Sequence, residues 1–362
     1  MRGGRTRLQV IRVAAIRILG AGPAGSAAAI AALSESAAVR LFEKSTFPRH
    51  KVCGEFLSPG VARILEALGV WQDFLGLRPA RIRRCVLHLG PRAKQWTLAE
   101  CAYGLSRYQL DRLLFDRAVL LGAEVDRDPG AGQRLAREPV RDGEAPIVIA
   151  TGRRAVASRG NRLFGFKAHF EGPVNDAVEL FFFEDCYVGV SAVEDGITNV
   201  CGIAPESTLR RFSFQPDELL ARWQPLGERL APLTRNMRWL TTGPLLFSRS
   251  GYDQPQPGMY PAGDALGFVD PFTGTGMLNA LLTGRMAGLC AARQVPGRTY
   301  VRQCSRLLEA PFRMAALFRA ALRLGWVVPL ARYLPGSWLF RMTRANDTDL
   351  AAVAFPTRDG IQ

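Results

Sequence analysis

The chain has 362 residues, 47 Lys plus Arg against 32 Asp plus Glu, and 48% hydrophobic residues. That length suits two to three domains at about 100–200 residues each, and charged residues at 22% with a mean hydropathy of +0.02 exclude a disordered or collagen-like chain. The net charge of +15 would suit a nucleic-acid partner, but only four of the basic residues are Lys (Lys44, Lys51, Lys94, Lys167) and no nucleic-acid-binding motif accompanies them, so none is expected.

Seven Cys without any Cys-x-x-Cys pair, and three distant His (His50, His88, His169), give no zinc-type ligand set, so no metal is expected. The same cysteine usage points to a reducing, cytoplasmic setting. Arg2, Arg5, Arg7 and Arg12 followed by apolar residues have the outline of a targeting segment. Arg17 interrupts it, and the uncharged run 18–33 has only 16 residues, short of the roughly 20 that a spanning helix needs.

Residues 13–19 read as a short apolar strand. They lead into Gly20-Ala-Gly22-Pro-Ala-Gly25, an Ala-rich helix over 26–33, and a second strand at 39–43. This is the order of a dinucleotide-binding unit. Gly20 permits the turn, Gly22 lets backbone approach a pyrophosphate, and Gly25 lets helix and strand pack closely. Glu43 lies 18 residues after Gly25, where a carboxylate can accept ribose hydroxyls and would repel a 2′-phosphate. Lys44 beside it is a further candidate contact to the cofactor.

Further along, 259–262 is a short strand entering Gly263-Asp264, where a carboxylate can accept a hydrogen bond from a sugar-like hydroxyl. Gly274 and Gly276 then precede a helix over 277–294, whose N-terminal N–H groups favour negative charge.

Three segments resemble the geranylgeranyl-reductase-like FAD oxidoreductases, within the wider p-hydroxybenzoate-hydroxylase and flavin-halogenase fold group. They are Phe47-Pro-Arg-His-Lys-Val-Cys-Gly-Glu-Phe-Leu-Ser-Pro59, Arg107-Tyr-Gln-Leu-Asp111 and the run Tyr260 to Met277. The resemblance runs from about residue 13 to 288 and implies FAD, with NADPH or NADH as electron donor. It places Arg107 near the FAD phosphates and ribityl chain, and Cys53 near the flavin. Cys53 reads either as a catalytic or redox thiol, its pKa lowered by Lys51, or as a small buried residue. Glu55 is the alternative proton donor.

The chain departs from these relatives where they carry an Asp-Gly pair after a mid-chain strand. Here the strand 147–150 is followed by Thr151-Gly152-Arg153, which weakens the expectation of direct reduction by NADPH. The hairpin before it looks shortened over 127–145. No tryptophan-containing halogenase motif is present, and the reductases' Trp- and Pro-containing lid pattern is replaced by 187–196.

From 164 to 204 the period changes to two, which predicts an antiparallel sheet. Phe164, Phe166, Ala168 and Phe170 share one face; Gly165, Lys167 and His169 share the other, expected to be solvated rather than to meet substrate. Residues 301–345 hold eight Arg against the single acid Glu309. Within 311–324, Met314, Leu317, Phe318, Ala321 and Leu322 fall on one arc, with Trp326, Trp338 and Phe340 following. This arc suits either packing on the cofactor domain or peripheral membrane contact through 311–340.

The expected fold is α/β (α+β overall). A discontinuous Rossmann-like FAD-binding domain (1–80, 101–160, 255–300) carries an inserted antiparallel-sheet substrate domain (81–100, 161–254) and a helical C-terminal cap (301–362). The expected activity is FAD-dependent oxidation–reduction on a hydrophobic small molecule (polyprenyl, lipid or polyketide), leaning to C=C reduction. Hydroxylation of an aromatic or polyketide substrate is the alternative, and a non-catalytic flavin- or lipid-binding protein at a membrane is the second.

Overall fold

The computed structural model describes residues 15–89, 92–138, 140–141, 143–153, 162–183, 186–245, 256–268 and 273–323. In chain order, β1 (Ile16–Leu19), α1 (Pro23–Ser34) and β2 (Val39–Phe42) form the first unit. Then come β3 (Phe56–Leu57), β4 (Ala80–Leu89), β5 (Arg92–Gly104), α2 (Arg107–Leu120), β6 (Glu124–Asp126) and β7 (Ile147–Ile149). A strand-rich stretch follows: β8 (Leu163–Glu171), β9 (Ala177–Phe183), β10 (Cys186–Ala192), β11 (Thr198–Pro205), β12 (Thr234–Arg235) and β13 (Leu240–Leu245). The chain returns through β14 (Met259–Pro261) to α3 (Gly276–Ala292) and α4 (Gly297–Arg323).

Five strands make an all-parallel sheet in the order β14-β7-β1-β2-β6. Its inner strand β7 is a short apolar run, buried throughout because both faces of the sheet are covered there, so no alternation is needed. Pro23 occupies the first turn of α1, where a missing N–H costs nothing. The Ala-rich sequence of α1 has a physical reason in its neighbour α3. A Cβ on Gly284 or Gly288 would lie 2.1 Å from the carbonyl oxygen of Ala24 or Ala28, so only glycine at these positions lets the two helices touch backbone to backbone. This contact carries the N-terminus of α3 up to the end of β1.

The other nine strands form the second sheet, in the order β12-β8-β11-β10-β9-β4-β5-β3 with β13 also on β8. It is mixed rather than antiparallel, because β4 and β9 pair in parallel from Arg84↔Ala177 to Leu89↔Phe182. They can do so because a long excursion through β5 to β8 separates them, as parallel neighbours require.

One face of this sheet carries Phe166, Ala168, Phe170, Phe181 and Val188, packed on Leu209, Leu219, Leu220 and Leu226 of three short helices within 206–230. Each Phe, Val or Leu among them contributes about 1.5–3 kcal/mol when fully buried. The opposite face looks back towards the parallel sheet.

Helix α4 runs unbroken through Pro311. Tyr300, Val301, Cys304, Leu307 and Leu308, which precede the arc within 311–324, are buried in the core that holds α1 and α3. Leu317 is 60% exposed. Trp326, Trp338 and Phe340 lie outside the described residues, as do Val13 and the Asp270-Pro-Phe segment of the second glycine motif. No helix among the described residues is long and apolar enough to cross a membrane.

Candidate active site

The carboxyl ends of β1 and β7 and the inner face of the second sheet enclose one cavity of about 1190 Å³. A single drug-sized ligand needs about 300–1,000 Å³, so there is room for a dinucleotide and a second molecule. At one end lie Gly20, Gly22, Glu43, Lys44, Arg107 and Asp264; at the other lie Leu87, Val178, Leu180, Phe182 and Leu245. Cys53 and Glu55 line it too, as do Gly263, Gly274 and Gly276. Every cofactor-site and catalytic residue named from the sequence therefore borders this space except Gly25, which acts one layer back.

The glycine loop is built by exclusion. Gly20 has φ +95°, and a Cβ on Gly25 would sit 1.7 Å from the Gly20 carbonyl oxygen, so that turn closes only with these two glycines. Gly22 is different. A Cβ there would meet only Arg107 Nη2 at 3.8 Å and Lys51 Nζ at 3.9 Å. Two cations thus flank the bare backbone at the start of α1, where the helix N-terminus also favours an anion. Lys51 was not read from the sequence as part of this end of the cavity.

Glu43 is buried, and its oxygens accept the amides of Ala21 (2.9 Å) and Ser45 (2.8 Å), with Arg49 at 3.6 Å. Burial alone would raise its pKa; these amides and the charges of Arg49 and Lys51 hold it below the usual carboxylate range. A carboxylate oxygen keeps a second lone pair for a hydroxyl.

Arg107 opens α2, whose N-cap Ser106 accepts the amide of Gln109 at 3.2 Å. It grips Asp111 through two bonds of 2.5 and 2.7 Å, and its charge acts on the Cys53 thiol. At the second motif, Gly263 takes φ +59° and donates its amide to Thr283 Oγ1 of α3 at 2.9 Å. Burial raises the pKa of Asp264, against the charges of Arg153, Arg107 and Lys51.

Between these ends sits a group that the sequence did not reveal. Glu55 is fully buried at φ +53°, a backbone state that is uncommon outside glycine. Its Oε1 accepts Lys167 Nζ at 2.5 Å and the Arg107 amide at 2.7 Å, while Oε2 meets His169 Nε2 at 2.6 Å. Lys167 and His169 are themselves buried. The expectation that their face of β8 is solvated is therefore corrected: the short helices cover one face of the sheet and the loop 47–56 covers the other.

Burial would raise the Glu55 pKa, but His169 and Lys167 hold it below the usual range. It is an ionised acceptor, poorly suited to the proton-donor role considered for it. His50, Glu55 and His169 could share a cation by spacing alone. The Lys167 ammonium already supplies the positive charge there, so no metal is assigned.

Cys53 also departs from the reading in which Lys51 acidifies it. Burial raises its pKa, with Arg107 the largest opposing influence. The thiol is protonated at neutral pH and is a weak nucleophile.

No family model matches the chain. It is 30% identical over 218 residues to digeranylgeranylglycerophospholipid reductase 1 of Methanopyrus kandleri, a match covering 59% of this chain and 48% of that protein. The chain thus spans about half the length of this relative. Reductase 2 of the same organism is 28% identical over 322 residues, covering 77% and 76% of the two chains. Among solved structures, a geranylgeranyl bacteriochlorophyll reductase-like protein from Thermoplasma acidophilum superposes with a TM-score of 0.64 at 18% identity, over 96% of this chain and 97% of that one. The flavin-dependent brominase Bmp2 does so with a TM-score of 0.73 at 16% identity, over 94% and 96%. In sequence the chain is similar to the two Methanopyrus kandleri reductases, and its fold is that of the geranylgeranyl-reductase-like and flavin-dependent halogenase structures.

Proposed function

We propose that this protein is an FAD-dependent oxidoreductase that reduces C=C bonds of a lipid-like, polyprenyl-bearing substrate. The observation that carries this reading is one continuous cavity, which runs from a glycine-rich, cation-flanked end to an apolar sheet face with a protonated thiol between them. On this reading the parallel sheet belongs to the cofactor domain and the second sheet to the substrate domain.

The residues present fit FAD. Gly22 leaves backbone bare between Arg107 and Lys51 for the diphosphate, Glu43 offers acceptors to the adenosine ribose, and Asp264 offers one to the ribityl chain. Gly274 and Gly276 bring the α3 N-terminus to the cavity edge. Bound there, FAD supplies hydride transfer, with NADPH or NADH as the donor that recharges it.

The chain's own part is to hold the alkene against the apolar face, exclude water and deliver a proton. With hydride supplied to one alkene carbon, the Cys53 thiol would give its proton to the other. The Arg107 guanidinium takes up the charge of the resulting thiolate, which solvent then reprotonates. Glu55 fixes this arrangement by holding the Arg107 amide and placing its own amide 3.4 Å from the Cys53 sulfur.

Anaerobic incubation of the flavin-loaded protein with NADPH and a polyprenyl glycerolipid should yield the hydrogenated lipid. Cys53→Ala should keep its flavin and lose about 10²–10⁴-fold in turnover, the usual worth of a positioned proton donor. An absolute need for oxygen would replace reduction with hydroxylation, and full activity in Cys53→Ala would remove the thiol from the mechanism.

Lys51 adds a pH signature. Burial, with repulsion by Arg107 next, lowers its pKa to about 8. A diphosphate beside it favours the charged form, so FAD binding takes up a proton. Affinity is greatest below about pH 8 and falls above it by up to about tenfold per unit, until the pKa of the bound form is passed. Titrations of flavin fluorescence across this range should show that slope, and Lys51→Met should flatten it.

A further inference from the structure

The cations bordering the cavity do not all belong to its glycine-loop end. Arg107 is paired with Asp111, Arg49 with Glu43, and Lys51 stands at Gly22. Arg153 lies elsewhere, just beyond β7, in the segment where the family resemblance expects an acid nearby and Thr151 stands instead. Its Nη2 donates to Thr242 Oγ1 of β13 at 2.9 Å, and its guanidinium lies 5.0 Å from the ring centre of Phe268. These contacts hold it where the parallel sheet faces the edge of the second sheet, bordering the same cavity.

Among the described residues no carboxylate lies within 4.0 Å of Arg153, whose charge is offset only at longer range by Asp264. The other acids bordering the cavity are not available to it. Glu43 and Glu55 are engaged as described, and Asp128 is bonded to Arg134 at 2.8 Å. A half-buried guanidinium with one hydrogen bond retains donors in a rigid fork, which suits a phosphate or carboxylate held through two bonds.

We infer that Arg153 is the headgroup anchor of the substrate cavity, the residue that selects an amphiphile with an anionic head. Its phosphate or carboxylate binds Arg153 and its chain lies across the apolar face formed by Val178, Leu180, Phe182 and Leu245. This inference rests on the proposed function and deepens it by assigning charge and orientation to the substrate. A lipid phosphate, a lipid carboxylate and the phosphates of a nicotinamide donor share the required chemistry; the first two would satisfy the inference and the third would not.

Equilibrium dialysis on the flavin-loaded protein, with radiolabelled polyprenyl phosphate, polyprenyl carboxylate and polyprenyl alcohol, tests it without relying on turnover. The wild type should bind at least one anionic probe about tenfold or more tighter than the alcohol. Arg153→Gln should abolish that preference with flavin content and alcohol binding unchanged, and Arg153→Lys should restore part of it. Three results would overturn the inference: no preference in the wild type or no binding of any probe, equal weakening of all probes in Arg153→Gln, or weakened NADPH binding with the amphiphiles unaffected. Preferential binding of probes whose double bonds are never reduced would instead reject the proposed reaction and leave the anchor standing.

Discussion

Glu55→Ala should unfold at markedly lower denaturant or temperature than the wild type, with a loss of about 3–5 kcal/mol. The substitution leaves Lys167 and His169 buried without their acceptor and frees the amide that fixes the start of α2. The cost comes from stranding a charge rather than from the net worth of the pair, since burying both partners was itself expensive. Glu55→Leu combined with Lys167→Met should therefore recover most of the stability that Glu55→Ala loses.

The pH dependence has a definite sign. The folded-state pKa of Glu55 is depressed, so its contribution is fully present above the unfolded carboxylate value of about 4.3 and is lost as pH falls through the folded value. The double variant should lose this acid sensitivity. Chemical denaturation at neutral and acidic pH measures both effects. A Glu55→Ala protein as stable as the wild type would mean that water reaches the cluster.

What the sequence made legible, and what it did not, follows the range of the interactions. The dinucleotide unit could be read because its parts act locally: one strand, one turn, one helix and an acid close by in the chain. Gly20 and Gly25 constrain each other across five positions. The Glu55 cluster joins residues 112 and 114 positions apart, and no periodicity encodes such a meeting. Period-two alternation in β8 correctly separated Phe166 and Phe170 from Lys167 and His169. It could not reveal that both faces are covered, because the covering loop is supplied from residues 47–56. The parallel pairing of β4 with β9 was hidden for the same reason, since alternation is equally compatible with either direction. Gly284 and Gly288 were visible in principle as a four-residue repeat, but in a chain with 36 glycines such spacing is unremarkable until the partner helix is known.

These long-range contacts also explain how two sheets of different character share one site. Glu55 is reached from β8 through Lys167 and His169, and from α2 through the Arg107 amide, so the second sheet and the end of the cavity holding Gly22 are joined through one carboxylate. Thr242 and Arg153 make a second join across the same gap. The cavity is thus braced at two points by polar contacts, while the surface between them stays apolar. That arrangement suits a site which must hold a charged dinucleotide and a hydrophobic chain side by side, because the polar groups are gathered at the braces and the apolar face is left to the chain.

Gly22→Val should give a folded protein that no longer retains flavin. Gly22 has an extended backbone with φ −70°, which valine adopts readily, and its Cβ would meet nothing closer than 3.8 Å. The added side chain therefore costs the fold little. It would, however, stand between Arg107 and Lys51 over the backbone at the start of α1, where the diphosphate is proposed to lie. Losing two or more charge-assisted hydrogen bonds there should weaken FAD binding by about 100-fold or more. Gly25→Ala should behave differently, because its methyl group would collide with the Gly20 carbonyl and damage the turn itself. The informative comparison is flavin content against circular dichroism and thermal unfolding of the flavin-free proteins. Gly22→Val should match the flavin-free wild type in both structural measures and still fail to take up added FAD. If it binds FAD normally, the diphosphate does not lie between Arg107 and Lys51, and the orientation proposed for the cofactor is wrong.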